Sequence, residues 1–173
     1  MLKKFLPDEH VHRVFDIDLK NLQDRGIKAI ITDLDNTLVA WDEANASPEL
    51  VQWFETLQKK GFVVTIISNN VQKRVEDFAK PLQIPFIYSA RKPLTAAFKR
   101  AIENMDVKRE ETVVVGDQIF TDVFGGNRLG LHTILVVPVA ETDGFFTKFN
   151  RKMERLLLRI MRRKGLVYWE EKN

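Results

Sequence analysis

Apolar, β-branched runs alternate with amphipathic stretches along most of this chain. Lys28–Thr32, Phe62–Ile67, Pro85–Tyr88, Thr112–Val115 and His132–Val137 read as strands, and several are apolar without interruption, as strands covered on both faces are. Between them, Pro48–Lys60, Val71–Lys80, Pro93–Asn104 and Asp122–Leu129 carry the helical period. Ser47 before Pro48 has the form of an N-cap followed by a first-turn proline, and Gly61 and Gly130 suit helix C-termini. Strands alternating with helices of this length predict βαβ units, hence an α/β fold with a largely parallel sheet, helices on both faces and right-handed crossovers. Residues 1–140 are expected to form this core together with an N-terminal extension. Residues 141–173 form a basic amphipathic segment, either part of the same domain or a membrane-surface element.

Composition narrows the class. A length of 173 residues suits one domain with a real core, and an apolar fraction of 45% is that of a globular protein. There are no cysteines, which excludes disulfides and thiolate metal sites and fits a reducing compartment. The start MLKKFLPDEHVHRVF lacks the apolar core of a signal peptide, and no apolar run approaches the roughly 18–20 residues that span a bilayer. A cytoplasmic protein, free or peripheral on a membrane, is the expectation.

The strand ends carry the chemistry. The first strand runs into Asp33-Leu34-Asp35-Asn36-Thr37, the second into Ser68-Asn69-Asn70, and the fourth into Gly116-Asp117-Gln118, with Thr121-Asp122 shortly after; Ser89-Ala90-Arg91-Lys92-Pro93 follows the third. Ligands of such sheets bind at the carboxyl ends of the strands. Carboxylate pairs, a hydroxyl with an amide, and an ammonium group should therefore meet in one pocket. Two carboxylates as close as Asp33 and Asp35 repel, and burying them without a partner is costly. A hard cation such as Mg²⁺ together with a phosphate would relieve the conflict. A carboxylate can attack phosphorus, a lysine can hold the phosphoryl oxygens and a serine can donate to them, so the set fits phosphoryl transfer. Each aspartate alone is as readily a cap or turn former; the ordered set of four is not.

DLDNTLV, ISNN, the isolated lysine of RKP and GDQIFTD resemble, in order, the four motifs of the haloacid dehalogenase (HAD) superfamily of phosphatases, over roughly Lys28 to Val137. The resemblance implies a Rossmann-like sheet with the first strand central. It implies Asp33 as nucleophile and Asp35 as general acid and then base, with Thr37 positioning Asp35. It implies a phosphoryl group held by Ser68 and Lys92, with Thr37 and Asn69 as further phosphate-side candidates. Mg²⁺ would be bound by Asp33, the backbone carbonyl of Asp35 and Asp117, with Asp122 as a further ligand or as a partner of one. Members of the superfamily carry large cap insertions after the first motif or between the second and third. Here each interval holds only a short loop and a helix, or a helix and a strand, so no cap domain is expected. With the start FLPDEHV and the basic tail, the chain resembles the YqeG-type branch of the capless class III (IIIA) phosphatases. That branch is similar to mitochondrial phosphatidylglycerophosphate phosphatases, which usually carry a lysine between the two motif aspartates, where this chain has Leu34.

The tail points to a partner. Phe146, Phe149, Met153, Leu156/Leu157 and Ile160 recur at helical spacing among Lys148, Arg151, Lys152, Arg155, Arg159, Arg162, Arg163 and Lys164, with Glu154 as their acidic counterpart. A basic amphipathic helix of this kind reads as a membrane-surface element with affinity for anionic lipid, with Tyr168 and Trp169 as interfacial anchors. The competing reading packs the apolar stripe on the domain and leaves the charges as a solvated face. Nucleic acid is disfavoured for want of a recognised module. The expected activity is thus a Mg²⁺-dependent phosphomonoester hydrolase acting through a phosphoaspartate, on a lipid head group: phosphatidylglycerophosphate to phosphatidylglycerol. The alternatives are a soluble phosphatase for a nucleotide, sugar or phosphoprotein, and a non-catalytic binding or scaffold protein on the same fold. The pair His10 and His12 lacks a third metal ligand nearby and is read as a surface or capping feature, His132 as structural, and Trp53 as core. Oligomeric state is not legible in the sequence.

Overall fold

A computed structural model describes residues 2–140 and 145–167, with side chains in the latter stretch described from Lys152 onward. Six strands form one sheet in the order β1-β6-β5-β2-β3-β4, and every neighbouring pair is parallel. The strands are β1 (Glu9–Val11), β2 (Ala29–Thr32), β3 (Val63–Ile67), β4 (Phe86–Ile87), β5 (Thr112–Gly116) and β6 (His132–Val136). The helices are α1 (Leu19–Asp24), α2 (Pro48–Lys59), α3 (Gln72–Ala79), α4 (Ala96–Met105), α5 (Phe124–Leu129) and α6 (Phe145–Arg163). The strand that carries the first aspartates, β2, lies at the centre between β5 and β3, and all of its residues are buried. This is the parallel α/β sheet expected from the alternation, and it is Rossmann-like with the strand of the first motif central, as the resemblance implied.

Local chemistry sets the boundaries. Ser47 accepts from the Leu50 amide at 3.2 Å and Pro48 opens α2. Gly130 takes the left-handed conformation that ends α5. The glycine pair in α5 has a packing role: a Cβ on Gly125 would press on the Phe98 ring, and one on Gly126 on Thr133 of β6. One cluster, built on Leu22, Ile30, Leu50, Trp53, Leu57 and Phe78, fills one face of the sheet, and a second, on Ile31, Ile67, Phe98, Ala101 and Val114, fills the other. Trp53 is core, edge-on to Phe15 at 6.3 Å, whereas Trp41 is 45% exposed on the loop after β2.

The N-terminal extension completes the sheet. β1 pairs with β6, placing Glu9 opposite Ile134 and Val11 opposite Val136. His132 is structural, as expected: its ring lies 2.7 Å from Glu9 and contacts Arg25, while the Asp8 carboxylate accepts from the Thr133 amide at 2.8 Å.

The tail helix has two apolar faces. Leu158 and Met161 are buried, and Leu157 and Leu158 pack against Ile119, Val123 and Leu135. Glu154 turns inward beside them and accepts from the Phe120 amide at 3.1 Å. Met153, Leu156 and Ile160 stay 41%, 48% and 40% exposed, next to the exposed side chains of Lys152, Arg155, Arg159, Arg162 and Arg163. The packed reading of the tail thus holds for its inner face, while the outer face leaves apolar and basic side chains exposed. The side chains of Phe146, Lys148, Phe149 and Arg151, and all of Tyr168 and Trp169, lie outside the described residues.

Truncating the inner face should therefore cost far more than truncating the outer one. Met161→Ala should lower unfolding free energy by about 2–5 kcal/mol, and Leu156→Ala by about 0.5 kcal/mol or less. Urea denaturation followed by circular dichroism measures both; equal losses would mean that the outer face is packed as well.

Candidate active site

Four strand ends converge. β2 ends with its last amide bonds feeding into the central ladder, where the Asp33 N–H donates to the Val115 carbonyl at 2.9 Å. The chain then turns sharply: Asn36 adopts φ +63°, a left-handed conformation asparagine tolerates, and its amide donates to the Val39 carbonyl at 2.6 Å. Leu34 points into the core, fully buried, so its neighbours Asp33 and Asp35 project on the opposite side of the chain. Between Asp33 and Ser68 the chain forms only a loop, α2 and β3, and between Ser68 and Lys92 only α3 and β4. No folded insertion covers the site, which agrees with the capless architecture expected.

The Lys92 ammonium is the centre of the cluster. It lies 2.9 Å from Asp33 Oδ1 and 2.6 Å from Asp122 Oδ1, with its side chain 3% exposed. Asp117 is buried close by and accepts from the Thr37 hydroxyl at 3.2 Å. Thr37, expected to position Asp35, is thus turned to Asp117. Ser68 is buried at the end of β3, and its hydroxyl oxygen accepts from the Asn70 amide at 3.0 Å. The Asn69 side chain is engaged with the Lys92 backbone, accepting from its N–H at 2.7 Å and donating to its carbonyl at 3.2 Å. It fixes the segment that delivers the lysine.

Asp122 owes its place to an irregular turn. Ile119–Val123 is a single π-helical turn leading into α5, a form that recurs at functional sites. Its carboxylate accepts from Lys92 and from the Gln118 amide, and it lies directly against Gly116, where a Cβ would overlap the carboxyl group. A glycine at the end of β5 is therefore a condition for Asp122 to face the pocket. The Glu154 carboxylate of α6 bonds the same turn at Phe120.

Asp33, Asp117 and Asp122 each offer an oxygen within 4.8 Å of the others, all three residues buried, an oxygen-rich set suited to a hard divalent cation. Burial pushes the Asp33 carboxyl up to about 7, with the Asp122 charge adding to the rise and Lys92 opposing it. For Lys92, burial works to lower the ammonium value, but Asp122 and Asp33 outweigh it, so the net direction is upward and the group stays cationic.

Two contributors were not singled out from sequence. Asp35 Oδ1 accepts from Arg74 Nε at 3.0 Å, and its Oδ2 accepts from Asn70 Nδ2 at 3.0 Å. Arg74 also donates to the Ala40 carbonyl at 3.4 Å. The available signal was an arginine within the first turn of the helix that follows ISNN. Glu154 was the other, legible only as the lone acid in a basic stretch. A cleft of about 710 Å³ adjoins the loop after β2, with Val14, Phe15, Leu38, Val39, Val137 and Val139 among its walls.

The raised Asp33 value fixes the pH dependence of cation binding. Between the ordinary carboxylate value of 3.8 and about 7, the folded metal-free protein keeps a proton that the unfolded chain has released. The site's contribution to stability is therefore fully present below that window and is lost as pH rises through it. A cation takes the deprotonated carboxylate, so affinity for Mg²⁺ should rise about tenfold per pH unit up to about 7 and level off above. Titration calorimetry in buffers of different ionisation enthalpy should show one proton released at pH 6 and none at pH 8.5; pH-independent affinity would remove Asp33 from the ligand set.

Residues 9–130 match the haloacid dehalogenase-like hydrolase family. The chain is 59% identical to the probable phosphatase YqeG of Bacillus subtilis, over 99% of this chain and 100% of that protein. It is 29% identical to phosphatidylglycerophosphate phosphatase 1 of Arabidopsis thaliana, over 93% of this chain and 49% of the plant protein, about half its length. Among solved structures, the cobalt-bound deoxy-D-mannose-octulosonate 8-phosphate phosphatase of Haemophilus influenzae shares the fold with a TM-score of 0.54 at 18% identity, over 78% of this chain and 89% of that one. Together with the buried Asp33–Lys92–Asp122 cluster at the end of the central strand, these likenesses establish that the chain belongs to the haloacid dehalogenase-like hydrolases and is a phosphatase of that family.

Proposed function

We propose that this phosphatase is a Mg²⁺-dependent phosphomonoester hydrolase that works through a phosphoaspartate at Asp33 and acts on phosphatidylglycerophosphate at an anionic membrane surface. The observation that carries the chemistry is the Lys92 ammonium, held within 2.9 Å of Asp33 in a buried site with Asp35 two residues on. The Asp33 carboxylate attacks phosphorus as the bond to the leaving oxygen breaks. Asp35 delivers the proton that this oxygen takes up. Asp35, now a carboxylate, then removes a proton from the water that attacks the acyl phosphate, and inorganic phosphate leaves with Asp33 restored. Lys92 and Ser68 hold the phosphoryl oxygens in both steps. Asp33, Asp117 and the carbonyl of Asp35, with Asp122 as a further ligand or a partner of one, would hold Mg²⁺, which would supply positive charge that lets one anion approach another.

The lipid assignment rests on three supports. The plant relative is named for phosphatidylglycerophosphate. The capless site leaves room for a phosphate presented by a large body. The outer face of α6 joins exposed Met153, Leu156 and Ile160 to a row of arginines, while Glu154, the acid of that stretch, is turned into the domain. A helix of this make-up sits in the headgroup region with its apolar stripe inserted, and each basic residue near the surface contributes about 1 kcal/mol. Among the described residues no helix is long and apolar enough to cross a membrane.

Hydrolysis of a panel of phosphomonoesters, with phosphatidylglycerophosphate in mixed micelles, tests the substrate. The lipid should give the highest kcat/KM and should require Mg²⁺; a nucleotide or sugar phosphate turned over faster would select the soluble-phosphatase reading. Asp33→Asn should lower kcat on every substrate by about three orders of magnitude or more, since an amide neither attacks nor binds the cation well. Replacing Arg159, Arg162 and Arg163 together by glutamine should weaken binding to anionic vesicles and lower activity on the vesicle-borne lipid. Activity on a small aryl phosphate should persist, because these side chains lie on the solvent face. Vesicle binding equal to wild type would make the arginines a solvated face only.

A further inference from the structure

The acid–base carboxylate is held by groups that the hydrolytic chemistry does not itself require. Arg74 lies on α3, with Nε 3.0 Å and NH2 2.9 Å from Asp35 Oδ1. Its guanidinium sits 6.0 Å from the centre of the buried Phe78 ring, and NH2 reaches the Ala40 carbonyl on the loop after β2. Its side chain is 17% exposed and that of Asp35 19%, so the pair stands at the mouth of the pocket, whereas Lys92 is at its floor. Asn70 occupies the other oxygen of Asp35.

The position of this cation bears on what the site selects. Asp35 must lie within hydrogen-bond reach of the leaving oxygen, about 3 Å. The guanidinium is a further 2.9 Å from that carboxylate, so a leaving oxygen drawn up to Asp35 lies within about 6 Å of it. A guanidinium is a planar fork with donors to spare, suited to carboxylate and phosphate oxygens, and it is weakly hydrated enough to exchange one anion for another. An apolar leaving group would offer nothing in return for lying against it.

We infer that Arg74 is a specificity-determining residue that recognises a second anionic group on the leaving side of the substrate, favouring phosphomonoesters whose leaving group carries a phosphodiester or similar oxyanion. The inference rests on the phosphatase reading above and sharpens it, because a glycerol spacer spans the distance between the scissile monoester and a diester. When such an anion arrives, it takes donors of Arg74 that Asp35 holds in the free enzyme. Asp35 stays anchored by Asn70 and is left facing the leaving oxygen. A substrate without the second anion leaves Arg74 paired with Asp35.

Two soluble substrates isolate the effect: glycerol 3-phosphate, and the same molecule with a methyl phosphodiester on its other terminal carbon. Wild type should prefer the diester-bearing compound in kcat/KM by on the order of tenfold to a hundredfold, mostly through KM. Arg74→Gln should collapse that ratio towards unity, and Arg74→Lys, which keeps charge but loses the fork, should retain part of it. A purely positioning role for Arg74 predicts that both substrates lose rate in the same proportion with the ratio unchanged, and that result overturns the inference. If Arg74→Gln is recovered unfolded, the lysine variant and the wild-type ratio decide the matter. A wild-type enzyme that cleaves glycerol 3-phosphate equally well contradicts the role of Arg74 alone, whereas one that cleaves neither these nor any phosphomonoester contradicts the proposed function instead.

Discussion

A lysine ammonium buried between two carboxylates is the interaction on which the rest of this structure depends. Lys92 could not stay charged in so dry a place without Asp33 and Asp122, and those two could not lie so close together without it. The compensation is incomplete, since Asp33 still holds its proton up to about 7. Under the proposed function, a divalent cation and an anionic phosphate would resolve that residual conflict together.

Much of the fold serves to hold that cluster in register. The central strand places Asp33 at the meeting point of four strand ends. The Asn69 side chain fixes the backbone of Lys92. Gly116 leaves room for Asp122, and a π turn aims it. The tail helix touches this arrangement directly, because Glu154 bonds the turn that carries Asp122 while the opposite side of the helix presents arginines and apolar side chains. One helix therefore joins the floor of the candidate site to the surface proposed to meet lipid.

What the sequence disclosed and what it hid have physical causes. The strands β2 to β6 and the residues at their ends were legible because parallel strands buried on both faces write apolar runs, and because ligands gather where those runs stop. β1 was not, since Glu9–Val11 is short, largely polar and half-buried at the sheet edge, with its pairing to β6 set by contacts more than a hundred residues away. α1 is six residues long and rests on the Asp18 cap, too short to show a period. The apolar positions of the tail were visible, but the face that packs, through Leu157, Leu158 and Met161, is offset from the stripe that spacing suggested, because two apolar faces overlap in one run. Thr37 and Arg74 illustrate the remaining gap. Which carboxylate a side chain reaches is decided by the turn at Asn36 and by the angle at which α3 leaves the sheet, neither of which spacing specifies.

The central claim is covalent catalysis by Asp33 in this preorganised cluster. Its most direct test is borohydride reduction of the enzyme quenched during turnover with Mg²⁺ and phosphatidylglycerophosphate, followed by peptide mass spectrometry. An acyl phosphate at Asp33 is reduced to the alcohol, so residue 33 should appear as homoserine in the turnover sample and as aspartate in a sample without substrate. Turnover that leaves residue 33 unmodified, or that marks Asp35 in its place, would contradict the account.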